Sequence, residues 1–220
     1  MAIYLAVGLS VQIAAAYAAV PLAFSGATNA AETVLAMAST AGLATNDIVE
    51  VISAWGLMSG RTVRLKNVVA NTSITLEGVD TLDLVRFPGA PAGAVGTVRK
   101  VTQWLPLSQL TSKITFEGGD QQYADITTLD DRTQRQIPTV RSPQKASFEA
   151  YFDASLPWVA AVKAVSDASR VAAVRVVYPG NASTLGSAYW SMADVPSIED
   201  STLRTKINLS FAALPITIGP

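Results

Sequence analysis

The stretch MAIYLAVGLSVQIAAAYAAV (residues 1–20) holds no charged side chain, and the first one in the chain is Glu32. So apolar an opening can be a secretion leader, a membrane anchor or a strand with one covered face. A leader needs a positive n-region ahead of a small-residue cleavage site. Ala16-Tyr17-Ala18 imitates the cleavage site, but no Lys or Arg precedes it. An anchor needs roughly 20 apolar residues, and a lipid-facing helix has no reason to alternate. This stretch alternates. Ile3, Leu5, Val7, Leu9, Val11 and Ile13 are large and apolar, while Tyr4, Ala6, Gly8, Ser10, Gln12 and Ala14 are mostly small or polar. Period two marks a strand with one buried face. The pattern predicts a strand or arm over residues 1–14 that needs a sheet, and a neighbour, to hold it.

The same period recurs down the 220-residue chain. DIVEVISAW (47–55) puts Val49, Val51 and Trp55 on one face, and RTVRLKNVV (61–69) puts Val63, Leu65 and Val69 inward with Arg64 and Lys66 outward. Gly56–Gly60 between them reads as a hairpin loop. Further strands are predicted over 72–77, 81–87, 97–105, 113–117, 122–129, 170–178, 187–192 and 203–214, with turns at Gly118-Gly119 and Pro179-Gly180-Asn181. The segment 139–152 ends with Ala146, Phe148, Ala150 and Phe152 against Ser147, Glu149 and Tyr151. The last strand sets Leu203, Ile207, Leu209 and Phe211 against Arg204, Lys206, Asn208 and Ser210. Ser155-Leu156-Pro157 opens one helix, about 155–169, with Trp158, Val162 and Val165 at helical spacing. Residues 30–41 fit either a helix capped by Asn29 and Glu32 or a strand. The sum is a mainly antiparallel β-sandwich or barrel with one flanking helix, without internal repeat or composition break, and therefore one domain over 1–220.

Composition removes many functions. There is no cysteine and no histidine, which excludes thiolate zinc sites, cysteine nucleophiles and Ser-His-Asp triads. Net charge is −1, so the molecule as a whole is no electrostatic nucleic-acid binder. Half of the residues are hydrophobic and 15% are charged, against about 25% charged in a typical globular chain. That excess of apolar surface points to cover by other subunits. The loop FPGAPAGAVG (87–96) lacks the Gly-Lys pair of a phosphate-binding loop. Five acids fall in 117–131: Glu117, Asp120, Asp125, Asp130 and Asp131. Paired carboxylates can hydrolyse glycosides or hold calcium; no EF-hand spacing is present, and an acidic run is ordinarily a solvated face. The spacing of Ser108 and Lys113 gives a Ser-Lys mechanism no support. The N-x-Ser/Thr matches at Asn71, Asn181 and Asn208 are read as chance, and the four tryptophans as core or interface anchors. No catalytic residue, cofactor or metal is expected.

Several segments resemble one known family. GLATNDIVEVISAWGLMSGRTV (42–63), FEGGDQQYADITTLDD (116–131), RQIPTVRSPQ (135–144) and DASLPWVAAVKA (153–164) resemble, in identity and order, the tail tube (major tail) proteins of long, non-contractile-tailed bacteriophages of the siphovirus type. The resemblance spans roughly Gly42 to Leu214, contains no catalytic motif and favours strand over helix for Glu32–Ala38. It implies a β-sandwich subunit that self-assembles into hexameric rings. The rings stack into a hollow virion tube, assembled in the host cytoplasm and independent of any membrane. It further implies a tape-measure protein in the lumen, tail terminator and distal tail proteins at the ends, and transient passage of double-stranded DNA. A wall that lets DNA slide should be neutral or acidic, which makes Asp120, Asp125, Asp130 and Asp131 expected lumen-facing residues. Ile3, Leu5 and Val7 in the opening strand and Pro215, Ile216 and Ile218 in the tail 215–220 are the expected contacts between subunits. The alternatives are another virion part, such as a tail terminator or a minor capsid or decoration protein, and a carboxylate-dependent hydrolase on a β-sandwich.

Overall fold

A computed structural model describes residues 8–89, 94–128, 130, 132–199 and 201–220. The first strands are β1 (Ser10–Tyr17), β2 (Leu22–Ala27), β3 (Val34–Met37), β4 (Ile48–Ser53), β5 (Arg61–Val69), β6 (Ser73–Leu76) and β7 (Gly96–Pro106). Strands β2, β3, β6, β5, β4 and β7 neighbour one another in that order, and β7 pairs back onto β2. The ladder thereby closes into a six-stranded barrel with no edge. Closure is tight at Gly96, where a Cβ would stand 1.9 Å from the Ile52 carbonyl oxygen. Inside lie Val49, Val51, Val63, Leu65, Leu35, Ile74 and Leu76, all fully buried. The connection from β6 to β7 lays Val79, Phe87 and Ala94 onto the same cluster.

Strand β7 runs on past the barrel and pairs with β1 through Val101–Pro106. A second sheet follows from it, made with β8 (Leu110–Glu117), β11 (Lys145–Tyr151), β12 (Val171–Val177), β13 (Ser183–Met192) and β15 (Thr202–Phe211). Its order from the barrel outward is β7, β1, β12, β13, β15, β11, β8. The short strands β14 (Ser197–Glu199) and β16 (Ile216–Ile218) attach to β15 and β13. One face of this sheet packs on α1 (Pro157–Asp167), with Val11, Ile13, Phe148, Val174, Trp190, Ile207 and Leu209 against Trp158, Val159 and Val162. The remaining pair, β9 (Gln121–Asp125) and β10 (Gln136–Arg141), forms a separate ribbon.

The mainly β, antiparallel architecture with one helix is the one the sequence predicts. The opening strand is real over Ser10–Tyr17, with Val11 and Ile13 buried; Ile3, Leu5 and Val7 lie outside the described residues. Segment 30–41 holds the strand β3 instead of a helix. Asn29 caps nothing: its Nδ2 donates to the Thr81 and Phe87 carbonyls at 2.7 and 3.0 Å. Four expectations need correction. Leu203, expected inward with Ile207 and Leu209, is 49% exposed, where β15 pairs with the short outlying strand β14. Segment 81–87 is a loop, because Asp83 folds it into a turn by accepting the backbone N–H of Val85 at 3.0 Å. Val69 is 46% exposed, because a register irregularity between Leu65 and Asn67 reverses the faces beyond it. The helix is capped by no Ser155 side chain; the N-cap is Leu156, and Asp153 Oδ1 accepts the Ser155 backbone N–H and hydroxyl instead.

Candidate assembly surfaces

The segment between β8 and β11 is one long hairpin bent in the middle. β8 runs through Gly118-Gly119-Asp120 into β9, and β10 returns through Ser142-Pro143-Gln144 into β11. Gly119 N donates to Ser142 O at 3.1 Å and Ser142 N to Asp120 O at 3.0 Å, which carries the ladder across the bend. Gly118 and Gly119 both have left-handed φ, +84° and +86°. A Cβ on Gly118 would meet the Pro143 carbonyl oxygen at 2.2 Å. The bend therefore requires glycine on steric and torsional grounds. Beyond it, β9 and β10 pair only with each other among the described residues. Every residue of β10 is exposed, and Tyr123, Ile137 and Val140 stand open at 60%, 46% and 64%. A lone two-stranded ribbon is marginal in water, so this arm is built to be covered.

Strand β8 presents a second unfinished feature. It pairs with β11 on one side and with nothing described on the other. Such an edge is a template for another strand.

The third surface is the face of the second sheet opposite α1. Cross-strand partners place Lys145 beside Ser210 and Glu117, Ser147 beside Asn208 and Thr115, and Glu149 beside Lys206. Tyr189 and Ser191 complete it from β13. This bare face is polar, of mixed sign and concave, with a depression of about 420 Å³. Arg204 Nη1 donates to Glu149 Oε1 at 2.8 Å. Its residues are the outward partners that alternation in 145–151 and 204–210 predicts.

Asp120, Asp125 and Asp130 all lie on the arm and all are exposed; Asp131 lies outside the described residues. Asp125 sits below the usual carboxylate range, because the Thr127 hydroxyl and backbone N–H and the Gln134 amide donate to it. A glycosidase acid needs the opposite shift. Among the described residues no three metal-ligating side chains come together. The Ser108 hydroxyl accepts the Trp158 indole N–H at 3.2 Å, a packing role. Among the described residues no helix is long and apolar enough to cross a membrane.

Pro215, Ile216 and Ile218 lie at the C-terminal strand. Ile216 and Ile218 are buried in the barrel cluster of their own chain, held by pairing of Ser183, Thr184 and Leu185 with Ile218, Thr217 and Ile216. Sequence alternation missed both β14 and β16, which are too short to show a period.

A closed barrel, an edge-bearing sheet and a projecting arm, without a catalytic cluster among the described residues, define a structural building block. The family model described as "Phage tail tube protein, TTP" matches residues 53–217, three quarters of the chain, and the chain belongs to that family. It is a non-enzymatic structural component of the virion tail that associates with copies of itself into a tube. No curated protein matches the chain.

Proposed function

We propose that this chain forms hexameric rings that stack into the tail tube of a long, non-contractile bacteriophage tail, the conduit for genome delivery. The observation that carries the reading is the β9–β10 arm, whose β10 is exposed throughout and which pairs with no other described strand. A second copy is the economical cover. The β8 edge, which pairs with no second strand among the described residues, supports lateral growth by strand addition, since joining edges around a ring removes them. Stacking by an arm is a heterologous contact, which propagates into a filament.

The polar sheet face, not the arm, suits a lumen wall. Its lysines and glutamates alternate, so it neither condenses on phosphates as a basic wall would nor strips them of water. Of the acids expected to line the lumen, Asp120, Asp125 and Asp130 sit on the arm, where contact between copies is the better use. In this reading a tape-measure protein occupies the lumen before DNA does, and terminator and distal tail proteins close the two ends. Assembly takes place in the host cytoplasm. Residues 1–7 remain proposed contacts between copies. Their removal is the fair trial, because Val11 and Ile13 belong to the core and cannot be deleted with them.

Electron microscopy of the purified protein at rising concentration, beside size-exclusion chromatography, tests the reading. Hollow, regularly striated tubes are expected. A closed ring that never stacks, even with an added initiator complex, would favour a tail terminator instead.

A further inference from the structure

Arg61 opens β5 directly opposite Val51. Opposed residues of an antiparallel pair point to one face, and Val51 and Val63 both lie in the barrel core. Arg61 therefore points inward, at the mouth of the barrel, and only 9% of it is exposed. Its Nε is buried without an acceptor, and among the described residues the side chain makes no hydrogen bond and no ion pair. Burial acts first against its charge, and a second cation, Arg86 on the loop between β6 and β7, adds to that. Arg86 is exposed and likewise unpaired among the described residues. Beside it Leu82, Leu84 and Val85 are exposed at 58%, 65% and 92%. A guanidinium is rarely buried without an anion, and buried Arg61 has none among the described residues.

The arm carries the complement. Asp120 and Asp130 are exposed there and make no side-chain bond among the described residues, on the same arm as the exposed apolar residues Tyr123, Ile137 and Val140. Acid with apolar neighbours on the arm matches arginine with apolar neighbours at the mouth. An apolar rim around a desolvated charge pair is the usual composition of a binding hot spot.

We infer that the barrel mouth at Arg61, with Arg86 on the loop near it, receives the β9–β10 arm of a second copy, an arm carboxylate seating on the Arg61 guanidinium. The inference rests on the proposed self-assembly and names its contact. Among the described residues Arg61 satisfies no acceptor, which leaves its charge open to a partner. Arg61 donates in a planar fork that suits a carboxylate, which lysine would not reproduce.

The test uses the whole chain. Arg61→Met keeps the length and removes the charge. The monomer should melt at the same or a higher temperature, while the concentration needed for tube growth rises about tenfold or more, the cost of one charge-assisted contact per copy. Arg86→Met, on an exposed side chain, should raise it as well without touching the fold. Asp120→Lys with Asp130→Lys should do the same from the other side. Mixing the Arg61→Met and the arm variants pairs an intact arm with an intact mouth, and sedimentation should show association that neither gives alone. Wild-type tubes together with normal growth of Arg61→Met and Arg86→Met would overturn the contact and leave the tube reading standing. A monomer that unfolds with Arg61→Met and normal growth with Arg86→Met would make Arg61 an internal structural residue, overturning it too. Inorganic phosphate stabilising wild type but not Arg61→Met, with that variant assembling normally, would give the pair to a free anion. Wild type that never assembles would remove the tube reading itself.

Discussion

The hydroxyls of Thr62 and Ser187 lie 2.7 Å apart, across 125 residues of sequence. Thr62 is on the outer side of the barrel and Ser187 is on β13, and both are buried. This bond is a side-chain tie between the two sheets. Either single replacement, Thr62→Val or Ser187→Ala, strands one buried hydroxyl and should cost about 1–3 kcal/mol. The double variant should cost less than the sum, with coupling of about 0.5–3 kcal/mol by a denaturant double-mutant cycle. Additive effects would show that the tie contributes nothing.

Tyr17 makes a second joint. Its hydroxyl accepts the Ala173 backbone N–H at 2.8 Å, and the Arg99 guanidinium stacks 4.3 Å from its ring centre. Arg99 in turn donates to Glu50 at 2.7 Å. Burial pushes the phenol above its ordinary range, and the Ala173 N–H pulls against that. Tyr17→Phe orphans the Ala173 N–H and should lower stability by about 1–3 kcal/mol. Tyr17→Leu should lose more, since the stacking goes as well. Thermal unfolding of the monomer reads both.

The C-terminal strand β16 is clamped by a charge pair. Arg64 Nη2 donates to Glu77 Oε1 at 2.7 Å and to the Gly219 carbonyl at 3.3 Å. The Arg64 hydrogen bond holds the Glu77 carboxyl below its usual range. A depressed carboxyl contributes stability that is present above about pH 4.3, the unfolded value, and is lost as pH falls through the folded value. Glu77→Gln should therefore destabilise at pH 7 and flatten the acid limb below about pH 4.3. Melting temperature against pH, for both chains, checks the sign.

The arm's direction depends on Gly118. Gly118→Ala meets both a left-handed backbone and the Pro143 carbonyl. A left-handed non-glycine residue alone costs about 1–2 kcal/mol. The two sheets, which Gly118 does not enter, should keep their unfolding transition, while tube formation fails or the striation changes. A tube indistinguishable from wild type would show the bend to be irrelevant to assembly.

Much of the fold was legible because one-sided burial writes period two into the chain. Ala146, Phe148 and Ala150, Ile207 and Leu209, and Val49 and Val51 all face the core as alternation requires. The helix declared itself by the change of period at Trp158 and Val162. What alternation could not show was pairing partners. That β7 closes on β2 is a contact over some 75 residues, and nothing local encodes it. Val69 was misread because a register shift is invisible in a residue pattern. The loop 81–87 has strand composition but no ladder to join. Arg61 shares the period of Val63 and Leu65, so its inward aim was readable; its lack of a partner among the described residues was not. Of the arm's two strands only β9 was visible, overlapping the predicted strand 122–129, and β10 was not; the arm's bareness is a property of the whole molecule.

Strand β7 belongs to the barrel and to the open sheet at once. Force applied to the arm would pass through β8, β11, β15, β13, β12 and β1 before it reached that shared beam. Each step is an antiparallel ladder with many hydrogen bonds side by side. A column built from such units would resist stretch and twist through its sheets, and its loops would carry little of the load.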